Sequence, residues 1–287
     1  IDTKFVNKYS FKKNIQSVTY KLDPSQNRMQ CKGCGNKIPQ NVLKNVFYYN
    51  TVNGSYDADK INKTNDLYQT TDIISSIVSD PFLLGKISAK HAINDIFAST
   101  AKPLSAQMII GMPPALNNIN ERDLIQLKKG AEEILNEADC NLIGGHTYSI
   151  NDDQIYIGFS IIGRKKKLVN INNKKYKGNL YMTGKLGTAL IFSGIEQKAI
   201  SSIYLKDVIS QMSYNNYDLF KILYKNNIDI ITDISGFGLA IHAYNLILRN
   251  PKLKGLEIIL SRIPLFDGII DLIKENIRSS LSESNKS

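Results

Sequence analysis

The chain of 287 residues is predicted to be a mixed α/β (α+β) protein, and three features of its sequence say so. Ile155, Ile157, Phe159 and Ile161 alternate with Tyr156, Gly158 and Ser160, which is the period of a half-buried strand. Leu124, Leu127, Ala131, Ile134, Leu135 and Ala138 recur at helical spacing and form a core-facing stripe. Asp80 followed by Pro81 supplies a capping carboxylate and a first helical residue whose φ is preset. Strands interleaved with amphipathic helices fit a sheet covered by helices.

Taken in order, residues 1–43 lack sustained periodicity and are expected to form a mobile arm. Residues 46–49 are β-branched and aromatic and predict a strand, whereas the polar residues 50–65 predict a loop. A strand is expected over residues 70–74. The helix opened by Asp80 should run to about Ala98, and residues 104–110 should form a strand that Pro113 and Pro114 end. Asn120 is the expected cap of the helix that carries the apolar stripe. After the strand at 155–161, the run Arg164, Lys165, Lys166, Lys167 and the Asn/Lys-rich residues beyond it read as a solvated loop. A second unit then begins near Asn179, with strands at 180–183 and 228–232 and a helix over about 208–226. Ser235-Gly236-Phe237-Gly238 turns the second of those strands into a helix reaching about Leu248. The expected organisation is an arm over 1–43, a first domain over 44–165 and a second over 166–287.

Thirty-six Lys and Arg against 26 Asp and Glu give a charge of +10, which draws polyanions in general. The cationic residues are scattered, so neither nucleic acid nor a membrane is an expected partner, and no apolar run reaches spanning length. Three cysteines without a paired framework point to a reducing compartment such as the cytoplasm. Because the first residue is Ile, any targeting signal is expected upstream of it.

The densest chemical signal is Gly33-Cys34-Gly35-Asn36-Lys37-Ile38-Pro39. Flanking glycines let a ligand approach Cys34 closely, and the Lys37 ammonium favours the nucleophilic thiolate. Taken alone, Gly-Cys-Gly is more often a surface turn with an incidental cysteine. Cys31 and Cys34 have half of a zinc spacing, but no second pair follows. Asp57, Asp72, Asp95 and Asp233 are carboxylates of the kind that hold Mg²⁺ against substrate phosphates, although a lone Asp is ordinarily a cap or turn residue. Gly144-Gly145-His146-Thr147 reads as a glycine turn whose amides face an anion, or as an ordinary turn in which His146 makes a structural hydrogen bond.

In this order the segments resemble the selenophosphate synthetases, also called selenide, water dikinases. The matching pieces are the Gly33 to Pro39 loop, Thr70-Thr71-Asp72, Asp80-Pro81-Phe82 with Gly85, and Ala92-Ile93-Asn94-Asp95-Ile96-Phe97-Ala98. They continue through Lys102-Pro103-Leu104, Gly144-Gly145-His146-Thr147, Leu186-Gly187-Thr188 and Thr232-Asp233-Ile234-Ser235-Gly236-Phe237-Gly238. The resemblance implies a two-domain fold like that of aminoimidazole ribonucleotide synthetase, its first domain forming half of an intersubunit β-barrel in a homodimer. It implies ATP-dependent synthesis of selenophosphate from selenide, with AMP and phosphate released, for selenocysteine biosynthesis. Cys34 and Lys37 match the catalytic pair. Asp57, Asp95 and Asp233 match magnesium ligands. Lys37, Asp72, Asp95, Gly144, Gly145, His146 and Thr147 match nucleotide contacts. Mg²⁺ is the implied cofactor, ATP and selenide the substrates, and a monovalent cation such as K⁺ a further expectation.

The chain also departs from the pattern. Asn36 stands where many members have a second cysteine, His91 replaces an asparagine one turn before Asp95, and Ser99-Thr100-Ala101 replaces Met-Gly-Gly. The glycine-rich C-terminal segments of the family are absent, so the second domain is expected to be incomplete within these residues. Two other readings compete: a different enzyme of the superfamily, which the Gly-Cys-Gly loop argues against, and a degenerate or fused paralogue that binds nucleotide or a partner without full activity.

Overall fold

The computed structural model describes residues 57–61, 66–165, 178–250 and 253–279. The Cys34 loop, the arm and the strand expected at 46–49 lie outside the described residues. The first half is one five-stranded sheet with two helices on one face. Its strands are β1 (Asp59–Lys60), β2 (Leu67–Ser75), β3 (Ala101–Met112), β4 (Asn141–Ser149) and β5 (Tyr156–Lys165), in the spatial order β1-β2-β5-β3-β4. Only the β3–β4 pair is parallel, and helix α2 (Asn117–Glu137) makes the crossover between them.

Helix α1 (Pro81–Ala98) starts where the sequence predicts: Asp80 accepts a hydrogen bond from the Leu83 amide at 2.9 Å, and Pro81 opens the first turn. Helix α2 starts a turn earlier than expected, at Asn117, with Leu116 in the cap position, while Asn120 bonds the Ala115 carbonyl instead. The two helices touch backbone to backbone. A Cβ on Gly85 would lie 2.1 Å from the Leu127 carbonyl oxygen, and one on Gly130 would lie 1.9 Å from that of Phe82. Those glycines let α1 sink between α2 and the sheet, where Ile74, Ala106, Ile110, Ile157, Phe159 and Ile161 close the core. The Ser88 hydroxyl donates to the Ile157 carbonyl at 2.9 Å and pins α1 to the central strand.

Gly144 to Thr147 is not a turn. It lies within strand β4, because pairing with β3 satisfies the backbone more fully than a turn would. Gly145 is there for close approach, since a Cβ would fall 1.8 Å from the Met108 carbonyl oxygen. Asp72 sits in the middle of β2, which extends the strand expected over residues 70–74 at both ends.

The second half is helical among the described residues: α3 (Thr188–Glu196), α4 (Leu205–Ser213), α5 (Tyr217–Lys225), α6 (Gly238–Arg249) and α7 (Ile269–Lys274). The strands expected at 180–183 and 228–232 do not form, as neither segment finds a ladder partner there; an isolated bridge joins Leu186 to Leu265. The single helix expected over 208–226 is two. Asn215 breaks it by accepting from the Tyr217 amide at 3.0 Å and donating to the Ile134 carbonyl at 3.1 Å. Ile191, Val208, Phe266, Ile269 and Leu272 make a small second core. Phe220 on α5 instead joins the first core, stacked on Phe97 at the end of α1 with centroids 4.7 Å apart. No helix among the described residues is long and apolar enough to cross a membrane.

Gly130→Ala tests the helix contact. Alanine is the better helix former by about 1 kcal/mol, but the obstacle is a carbonyl that cannot rotate away, so overpacking wins by a net ~2 kcal/mol. The melting temperature should fall by roughly 4–8 °C. Gly255→Ala, at a position with open space around it, should leave the melting temperature unchanged.

Candidate functional site

The inner face of β2 carries Thr70 and Asp72 among apolar neighbours: Thr70 pairs across the ladder with Ile161 and Asp72 with Phe159. Both therefore face α1, where Asp95 lies near the C-terminal end of the helix and is 7% exposed. The Thr70 hydroxyl donates to Asp95 Oδ2 at 2.5 Å. His91, one turn earlier on α1, brings Nε2 to 3.4 Å from Asp72 Oδ2.

The stacking of Phe97 on α5, with the Asn216 to Asn94 side-chain bond at 3.1 Å, seats the second half over this end of α1. It brings Asp233, in the loop before α6, towards Asp95. Burial pushes the Asp95 carboxyl well above the usual carboxylate range, the charges of Asp233 and Asp72 push it further, the Thr70 hydroxyl opposes them, and Asp57 adds to the rise. Three sequence-predicted carboxylates, Asp57, Asp72 and Asp233, thus act on the fourth, Asp95, at the junction of the two halves.

Asp57 and Asp233 approach closely with His242 of α6: one ligand atom from each lies within 4.8 Å of the others. The Ser235 amide donates to His242 Nε2 at 3.3 Å, which leaves the ring proton on Nδ1, 4.0 Å from Asp233 Oδ1. In that tautomer the Nδ1–H faces Asp233 and leaves no lone pair there for an ion. Asp57 also binds Arg249: Nη1 donates to Asp57 Oδ2 at 2.9 Å and Nη2 to the Thr232 hydroxyl at 3.0 Å. The donor set is mostly carboxylate oxygen crowded into a partly dry cleft, which suits a hard divalent cation such as Mg²⁺. Asp57 and Asp233 are the carboxylates that converge closely enough to hold one, and Asp95 is near enough to feel their charge.

Gly144, Gly145, His146 and Thr147 are not brought to this cluster within one chain. They lie on the exposed edge strand β4, separated from β2 by β5 and β3. Ladder partners place His146 in a row with Ile109, Gly158 and Ile73, on the face of the sheet turned away from the helices. Cys34 and Lys37 lie outside the described residues. The buried Cys140 is no nucleophile, because desolvation pushes its thiol up to about 12.

Thr70, Thr232, His242 and Arg249 belong to the site and were not singled out by sequence reasoning. Thr70 and Thr232 stand within matched segments. His242 and Arg249 are seven residues apart on α6, two turns along one face, and an Arg with a His on the stripe of a helix following Thr232-Asp233 was the available signal.

The sequence model of the family described as "AIR synthase related protein, N-terminal domain" matches residues 53–165. The selenide, water dikinase of Bdellovibrio bacteriovorus is 30% identical over 239 residues, covering 81% of this chain and 67% of its own length. That of Nitrosomonas eutropha is 30% identical over 247 residues, with 82% and 68% covered. Among solved structures, the HypE–HypF complex aligns with a TM-score of 0.59 at 18% identity over 83% of this chain and 77% of that one. HypE of E. coli aligns with a TM-score of 0.54 at 16% identity over 82% and 75%. The shared fold is that of the AIR synthase-related proteins.

The raised carboxyl of Asp95 sets a pH dependence with a definite sign. A carboxyl whose folded pKa exceeds its unfolded value stabilises the fold at low pH, and this contribution is lost as pH rises through the folded value. In metal-free protein, Asp95→Asn should therefore melt higher than wild type at pH 7, with the gain shrinking as pH falls towards the ordinary carboxylate range. Thermal melts from pH 4 to 8 in a chelating buffer check it.

Proposed function

The chain belongs to the selenide, water dikinase family, and we propose that it is an enzyme that makes selenophosphate from selenide, water and ATP, releasing AMP and orthophosphate. The observation that carries this reading is the meeting of Asp57, Asp72, Asp95 and Asp233 from both halves at one junction, in a chain 30% identical to dikinases over most of its length. Such a cluster repels a nucleotide triphosphate unless cations accompany it, which is the situation phosphoryl transfer requires. Mg²⁺ held by Asp57, Asp95 and Asp233 would supply charge neutralisation for the phosphates. A monovalent cation such as K⁺ is an additional proposed component.

The chain's own residues have distinct tasks in this reading. Asp72, steadied by His91, contacts the nucleotide. Thr70 holds Asp95 by one short hydrogen bond, and His242 stands beside Asp233. Cys34 engages the selenium species, Lys37 favours its thiolate and adds positive charge beside the phosphates, and the arm over residues 1–43 delivers both. The domains over 44–165 and 166–287 flank the cleft.

The homodimer belongs to the same proposal. The sheet face opposite the helices carries Ile73 at 44% exposure, and the edge strand carries Ile143 at 63% and Tyr148 at 43%. A second copy laid against that face would form the shared barrel and cover the open edge of β4. Gly144, Gly145, His146 and Thr147 would then contact a nucleotide in the other subunit's cleft. Light scattering should give twice the chain mass, and Ile143→Lys should shift the protein towards monomer. A monomeric wild type would remove the dimer from the proposal.

A second reading, a paralogue that binds nucleotide without completing the reaction, is favoured by one observation: Arg249 already occupies Asp57. Measuring AMP and phosphate from ATP with and without selenide separates the two. Selenide-dependent AMP release that Cys34→Ala lowers by about a hundredfold or more, with nucleotide affinity kept, is the expected result. ATP binding with no AMP formed under any selenide concentration would leave only the second reading.

A further inference from the structure

Arg249 ties a candidate metal ligand of the first half to the second half with a charge the chain itself supplies. Its Nη1 donates to Asp57 Oδ2 at 2.9 Å, its Nη2 to the Thr232 hydroxyl at 3.0 Å and its Nε to the Asn245 carbonyl at 3.3 Å. Thr232 in turn has its oxygen 3.2 Å from Asp57 Oδ2 and 3.3 Å from Oδ1, so one hydroxyl accepts from the guanidinium and donates to the carboxylate. The two charged side chains are only 8% and 7% exposed. The positive charge extends to Asp59, whose carboxyl burial raises and Arg249 lowers.

A buried guanidinium bonded through all three nitrogens is costly to remove, because Asp57 would be left with an uncompensated charge and Thr232 and Asn245 would each lose a hydrogen bond. A divalent ion taking the Asp57 carboxylate would compete for the same oxygens and be repelled by a cation a few ångströms away. This inference rests on the metal-dependent reading of the cleft: we propose that Arg249 is the resident counter-cation of Asp57, so that entry of a divalent ion at Asp57 and the Asp57–Arg249–Thr232 bridge between the halves exclude one another. The nucleotide-free chain would thus take up less metal than its carboxylates allow, and ion entry at Asp57 would be the step that loosens the second half.

Mn²⁺ is the probe, its free concentration read by electron paramagnetic resonance without nucleotide, with thermal melts alongside. Arg249→Gln should bind an additional Mn²⁺ or tighten the weakest one by about tenfold or more, as expected when one unit charge leaves contact range. The variant should melt lower than wild type without metal, and Mn²⁺ should restore more of that loss than it adds to wild type. Arg249→Lys keeps the charge and should behave as wild type, while adding Asp57→Asn to Arg249→Gln should abolish the gain. Unchanged Mn²⁺ number and affinity in Arg249→Gln, or a gain that survives Asp57→Asn, overturns the proposal. Should Arg249→Gln fail to fold, Thr232→Val removes only the hydroxyl that holds the guanidinium. It should show a smaller gain of the same sign, and no gain overturns the proposal equally. Failure of the underlying reading is separately visible: Mn²⁺ binding to wild type that Asp95→Asn and Asp233→Asn both leave intact would remove metal from the cleft altogether.

Discussion

Helix α1 is crowded on three sides, and the positions of the acidic groups follow from that crowding. The sheet lies along one flank, α2 meets it at the Gly85 and Gly130 backbones, and α5 caps its end through Phe97 and Phe220. With Ser88 bonded to the central strand, the helix has no room to slide or turn. Asp95 is therefore fixed where water is scarce, aimed at Thr70 and at the second half. A surface helix would let the same carboxylate swing into solvent and lose its influence on Asp72 and Asp233.

A dry carboxylate among other carboxylates must be neutralised, and the cleft does so in two ways. At Asp95 the answer is local: one short hydrogen bond from Thr70 and a carboxyl held in the protonated direction. At Asp57 the answer is a guanidinium carried on α6 from the other half. The first arrangement leaves negative charge available to an incoming cation as pH rises, whereas the second has already satisfied it. One cluster thus contains a carboxyl without a cationic partner of its own half and a carboxylate already paired with a guanidinium. The difference lies in which element supplies the partner: Thr70 belongs to the same half as Asp95, while Arg249 is carried on a helix of the second half.

What the sequence made legible divides along physical lines. Local signals were reliable where local energies decide, as with the Asp80 cap, the Pro81 start and the stripe through Leu127, Ile134 and Leu135 on α2. The carboxylate positions were legible through the resemblance alone, since spacing says nothing about which aspartates meet. Gly144 and Gly145 misled because glycines serve close strand approach as readily as turns, and only the Met108 carbonyl beside Gly145 distinguishes the two. Residues 180–183 and 228–232 have strand-like composition, yet a strand exists only with a ladder partner, which is a non-local fact. The partnership of Arg249 with Asp57 spans 192 residues of sequence, so no window of pattern could contain it.

The sheet's other face completes the argument. Three strand spacings of ~4.8 Å separate β2 from β4, so the Cα atoms of Asp72 and the His146 row are about 14 Å apart across the sheet. His146 also points away from α1, so no side-chain rotation takes it into its own cleft. Gly144, Gly145, His146 and Thr147 therefore either serve a neighbouring subunit or do not serve a nucleotide. In the first case, nucleotide affinity and self-association are linked through the same edge strand, and diluting the protein weakens both together. The exposed apolar side chains of β4 and the glycines beside them would then answer one requirement: an edge flat and narrow enough for a second copy, carrying polar groups that act only once that copy is present.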